Sequence, residues 1–193
     1  MPLIKNGTRL QDPWFAVATE EELDRSRPML IPLALWQEHR DRLVDRVGPI
    51  GVRLASHESP AAIAGDLERF DLVALEFPKF TDGRAFSYAR LLRERHGFTG
   101  EIRAVGHVLR DQIAFLLRCG FDAFDLDERA AAGWEAATGA FSAWYQPAAD
   151  ADAPIPARRR YAVPARTSVS VIRSEPVPAP APEPASCAAN WAY

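Results

Sequence analysis

Along the middle of the chain, short apolar runs take turns with longer segments whose apolar residues recur three or four apart. Ile50-Gly-Val-Arg-Leu54, Leu72 to Phe77, Glu101 to Gly106 and Asp122 to Leu126 read as strands. Between them lie helix signals. Ser59-Pro60 combines an N-cap residue with a first-turn proline, and Ile63, Leu67 and Phe70 follow at helical spacing. Phe86 to Gly97 and Asp111 to Cys119 repeat the pattern, stopped by Gly97 and Gly120. Strict alternation of strand and helix implies a parallel sheet with right-handed crossovers. Four such strands are too few for a closed eight-unit barrel, so an α/β fold with an open or half-barrel-like sheet is expected. Glu128 to Gln146 predicts an amphipathic helix on Trp134, Phe141 and Trp144 or Tyr145. In the first 50 residues, Leu3-Ile4 with Asn6-Gly7 suggests a hairpin. Ile31 to Val47, entered through Pro32, suggests a helix.

This pattern places two polar loops, Pro78-Lys-Phe-Thr-Asp-Gly-Arg84 and His107-Val-Leu-Arg-Asp-Gln112, directly after two strands. In a parallel sheet they share the carboxyl edge, where ligands of α/β sheets bind. Glu76 sits inside an apolar run, so a cation from Lys79, Arg84 or a neighbouring loop is expected to face it. Glu76, Lys79 and Asp82 are the candidate acid/base residues, with a paired charge that only fixes the loop as the alternative. Arg84, His107, Arg110, Asp111 and Gln112 are the candidate binding residues. Arg110, preceded by Arg103, suits an anion at a helix start, and Asp111 suits an ordinary N-cap.

The chain has 193 residues, and nine of its 16 prolines lie beyond Gln146, in runs such as PVPAPAPEPA. Residues 1–146 therefore read as one α/β domain and 147–193 as a disordered, low-complexity Pro/Ala-rich tail. A net charge of -3 gives no electrostatic footprint for nucleic acid or an anionic membrane. No apolar run is long enough to span a bilayer and the amino terminus lacks a signal-peptide pattern, which leads to an expected cytoplasmic location. The four histidines have no metal-ligand spacing, so no metal site is expected. Cys119 in an apolar stretch and Cys187 in the tail form no disulfide framework. No dinucleotide fingerprint, cluster-type cysteine spacing or Cys-x-x-Cys pair is present, and no cofactor is expected.

The segment EFPKFTDGRAFSYARLLRERHGFTGEIRAVGHVLRDQ, followed by RCGFDAF, resembles an uncharacterised bacterial family described as an oxidoreductase linked to sulfite reduction. The resemblance runs over roughly residues 1 to 130 and takes in Leu30 to Leu33 and Gly51 to Leu54. It departs from the family's pattern at His107, where the family has Asp, and at Ala85, where Gly is common. The resemblance implies a place in sulfate assimilation and carries over no catalytic residue. Joined to the missing cofactor motifs, it leads to an accessory protein that binds sulfite reductase, its electron donor or another sulfate-assimilation protein. The alternative is a small anion-binding enzyme with a carboxylate acid/base and Arg/Lys clamps.

Overall fold

The computed structural model describes residues 2–5, 7–23, 27–138, 143–149 and 154–162. Eight strands form one curled half-barrel sheet: β1 (Leu3–Lys5), β2 (Thr8–Leu10), β3 (Phe15–Ala16), β4 (Met29–Pro32), β5 (Ile50–Leu54), β6 (Leu72–Phe77), β7 (Glu101–Gly106) and β8 (Ala123–Asp125). Their spatial order is β2-β1-β8-β7-β6-β5-β4-β3. From β3 to β8 every neighbouring pair is parallel and consecutive in sequence. The four strands expected from the apolar runs are thus β5 to β8, with the expected sense. β1 pairs antiparallel with β2 and with β8, so the expected hairpin of β1 and β2 forms one margin of the sheet.

Aspartates set where two strands begin. The Asp71 carboxylate accepts the Ile50 amide at 3.2 Å, and that of Asp122 accepts the Ile102 amide at 2.8 Å. Each sits at the amino end of one strand and fixes its neighbour's first turn of ladder, satisfying a donor the sheet would leave open.

One face of the sheet carries the main core. Ile4, Ile31, Val52, Leu54, Val73, Leu75, Phe77, Ile102, Ala104 and Phe124 alternate toward it and meet Trp36, Ile63, Ala89, Leu92, Ile113, Leu116 and Cys119 from the crossovers. Cys119 is buried, as its apolar setting implies. Crossovers that all fall on one face curl a parallel sheet, as in barrels, instead of sandwiching it.

The helices are α1 (Leu33–Glu38), α2 (Arg40–Val44), α3 (Arg84–Arg90), α4 (Ile113–Arg118), α5 (Glu128–Ala131), α6 (Trp134–Thr138) and α7 (Ile155–Ala162). Several differ from expectation. Ile31 and Pro32 end strand β4, and the helix after them starts at Leu33 and breaks at His39 into α1 and α2. Ser59 does cap, accepting the Ala61 amide, but residues 60–69 form two 3-10 turns instead of an α-helix. Gly65 interrupts the segment, and the Asp66 carboxylate is drawn to the Trp36 indole at 3.1 Å and to Arg40 at 2.9 Å. α3 runs on as a π turn over Leu91–Arg95, and Gly97, at φ 63°, stops it. The long helix expected over Glu128 to Gln146 is two short ones broken around Gly133; Phe141 lies outside the described residues.

Past Gln146, the Ala149 amide donates to the Arg118 carbonyl at the end of α4, and the Ile155 amide at the start of α7 to that of Trp144. Residues 150–153 and 163–193 of the expected tail lie outside the described residues. No helix among the described residues is long and apolar enough to cross a membrane.

The curl follows from chain length. β2 and β3 are the two edge strands, yet only residues 11–14 join them. Eight flat strands put their edges about 33 Å apart at ~4.8 Å per strand. The five steps from Leu10 to Phe15 span at most about 18 Å. The sheet must bend until its edges fall within that reach, and the connection becomes a strap across the concave face.

Candidate functional site

The β6 and β7 loops lie side by side at the carboxyl edge, because β6 and β7 are parallel neighbours in register from Leu72↔Glu101 to Phe77↔Gly106. The His107 amide ties the loops together by donating to the Phe77 carbonyl at 2.7 Å. Gly106 makes this approach possible: its φ is 92°, and a Cβ there would stand 2.6 Å from that same carbonyl oxygen.

Within the β6 loop, Arg84 grips Asp82 by two nitrogens, at 3.0 and 2.7 Å, and donates to the Ser56 hydroxyl at 3.0 Å. The Arg84 guanidinium, with the Ser56 hydroxyl added, holds the Asp82 carboxyl well below the usual carboxylate range. A carboxylate so stabilised is a weak base and stays ionised at neutral pH, so this trio joins the β5 and β6 ends as a brace. Arg84 is thereby engaged within the fold.

The other edge residues are differently placed. Lys79, His107, Arg110 and Asp111 are exposed, and among the described residues their side chains have no hydrogen-bond or ion-pair partner. Phe80 is 52% exposed between them in sequence. Asp111 does not cap α4. α4 has no side-chain cap; Gln112 instead closes the 3-10 turn before it, Arg110–Gln112, accepting the Leu109 amide at 3.0 Å on Oε1. The chain is acidic overall, but the free side chains at this edge, Lys79 and Arg110 against Asp111, lean cationic.

Glu76 belongs elsewhere. Its partner is Arg53 of β5, at 3.0 Å, and not Lys79 or Arg84. Strand alternation turns Glu76 to the concave face, away from the loop that follows it. The concave face is ordered in rows by the register. One row contains Arg53, Ala74, Arg103 and Ala123. In the next, Glu76 lies beside Val105, and Asp125 follows two residues after Ala123. Small residues alternate with long ones, which leaves room for arginines to lie across a curved sheet.

Arg103 is 1% exposed and bridges two carboxylates, Glu101 at 2.8 Å and Asp12 of the strap at 2.8 Å; Lys5 adds a 2.6 Å pair to Glu101. Trp14, the strap's other anchor, packs on Leu30, Leu72, Ala74 and Val105. Asp125 is half-buried with no ion-pair partner among the described residues, and burial pushes its carboxyl above the usual range.

Sequence reasoning passed over Arg53, Asp125 and Asp12. The signal for the first two was available, since each is a charge at the same parity as Glu76 and Arg103 within an apolar strand. For Asp12 there was none, because its role depends on two sheet edges approaching one another.

Residues 51–156, over half of the chain, match the family described as Bacterial protein of unknown function (DUF934). No curated protein and no solved structure matches the chain. The match starts at β5 and ends in α7, so residues 1–50, with Leu30 to Leu33 and the strap, fall outside it, whereas both edge loops and Arg53, Glu76, Arg103 and Asp125 fall within it. The chain belongs to this bacterial family.

Proposed function

We propose that the protein is an accessory of assimilatory sulfite reduction that binds sulfite reductase or its electron donor through the carboxyl edge of its sheet. The observation that carries the reading is the group Lys79, His107, Arg110 and Asp111: four exposed polar side chains on two adjoining loops, unpartnered among the described residues while the charges around them are paired. Charges left free on braced loops suit recognition of a partner, since they keep their hydration until docking and steer encounter. The pathway rests on the sequence resemblance. The cationic lean of the edge calls for an acidic patch on the partner.

The anion-binding enzyme reading is weaker on this geometry. Asp82 is held ionised by Arg84, Arg84 is occupied by Asp82 and Ser56, and Glu76 faces Arg53 on another surface. The proposed acid/base and clamp residues therefore do not converge on one reacting position. Binding of purified sulfite reductase and of its electron donor to the immobilised protein tests the reading, with Lys79→Glu/Arg110→Glu as the edge variant.

A further inference from the structure

We propose that Arg103 is a binding site for a small free carboxylate on the concave face, and that the side chain of Asp12 fills it as an internal stand-in. Arg103 is the most deeply buried charge of that face, at 1% exposure. Its Nε and Nη2 both reach one oxygen of Glu101, at 2.9 and 2.8 Å, which occupies one edge of the guanidinium. The remaining edge, through Nη1, meets Asp12 at 2.8 Å. A buried guanidinium edge needs an anion in front of it, because an uncompensated charge there is costly. Here the anion comes from a four-residue connection and not from a strand.

That connection is lightly held. Gln11, Asp12 and Pro13 are exposed, and the strap's attachments are the Asp12–Arg103 pair and the packing of Trp14 on Leu30, Leu72, Ala74 and Val105. Asp12 is 37% exposed while its partner is sealed, so solvent reaches the pair from the strap side. With Asp12 displaced, Nη1 of Arg103 loses its carboxylate, and Lys5 and Arg103 share Glu101 alone. Ala74 and Ala123 flank Arg103 in register, and Trp14 of the strap packs over the Ala74 side, so lifting the strap uncovers the guanidinium. Asp125 and Glu76, one row on, disfavour a dianion, which selects a monoanionic carboxylate like the group Asp12 presents. The site lies away from the Lys79 and Arg110 edge, so it stands or falls independently of the docking reading.

In the wild type a ligand must first displace the internal carboxylate, which lowers its apparent affinity by the fraction of chains with the strap lifted. Asp12→Asn removes the competing charge yet keeps an oxygen for the Trp14 amide, which Asp12 now accepts at 3.0 Å. The test is the melting temperature of the full chain with about 20 mM sodium acetate, against sodium chloride at equal ionic strength and against sodium sulfate. Asp12→Asn should show an acetate shift at least about three times that of the wild type, with a smaller shift in sulfate, and Asp12→Glu should behave as the wild type. The shift should vanish in Asp12→Asn/Arg103→Lys. A second readout needs no change at Arg103: acetate should move the Arg103 Nε–H resonance in the Asp12→Asn protein. An acetate shift no larger than in the wild type, a shift that survives Arg103→Lys, or an unmoved Arg103 resonance would overturn the proposal.

Discussion

At the scale of single residues, the ionisable groups of this protein divide by the sign of what their surroundings do to them. Asp82 is held low by Arg84, and Asp66 by its bonds to Arg40 and Trp36. Their stabilisation is present above the ordinary carboxylate range and is lost as pH falls below it towards their depressed folded values, because protonation breaks those bonds. Asp125 has the opposite sign. Burial raises it, so the native state holds its proton more tightly than the unfolded chain, and stability falls as pH rises from about 4, the ordinary value, through its folded value. Asp125→Asn should therefore melt higher than the wild type at neutral pH, with the difference vanishing near about pH 3. Asp82→Asn should do the reverse, losing stability at neutral pH, with the gap beginning to narrow only below about pH 4; thermal melts from neutral pH into acid check both. Arg103→Met should destabilise, but by less than the roughly 3–5 kcal/mol of a fully orphaned buried charge, since Lys5 still pairs with Glu101, and urea denaturation reads that directly.

At the scale of elements, the parallel strands were legible in the sequence because each is a short apolar run bounded by turn residues, and Leu72 to Phe77 and Glu101 to Gly106 keep their expected bounds. The helical segments were legible in place but not in kind. Spacing alone cannot tell an α-helix from the 3-10 turns at Pro60–Ile63 and Leu67–Arg69, where a proline start and Gly65 keep the coil short. β3 and β4 were missed: Phe15–Ala16 is two residues long, and Met29–Pro32 runs straight into a helix, so Pro32 reads as a helix entry when it also ends a strand. The edge loops were placed correctly as neighbours, but Glu76 was assigned to them because alternation along the strand was not followed to the other face. Gly106→Ala should destabilise by about 1–3 kcal/mol, since it combines a left-handed φ with a clash at the Phe77 carbonyl, and should broaden the amide signals of His107 to Gln112. Truncation after Gln146 removes the bonds from Ala149 and Ile155 to the body, so a fall of about 2–4 °C per kcal/mol lost is expected; truncation after Ala162 spares them and should leave the melting temperature nearly unchanged.

At the scale of the whole molecule, a singly wound sheet leaves its two faces with different tasks. The convex face packs on crossovers and supplies stability, the concave face holds a lattice of paired charges under a strap, and the carboxyl edge keeps its free side chains on loops braced by Arg84, Asp82 and Ser56. The docking reading depends on that last division, because free charge on a rigid edge is what a partner can recognise without a large ordering cost. The most direct measurement is the affinity of purified sulfite reductase, and of its electron donor, for the immobilised wild type and for Lys79→Glu/Arg110→Glu at two salt concentrations. Binding of the wild type to one of them should weaken with salt, and the edge variant should bind at least about tenfold more weakly with its melting temperature unchanged. No binding of the wild type to either protein, or equal binding of the edge variant, would contradict the account.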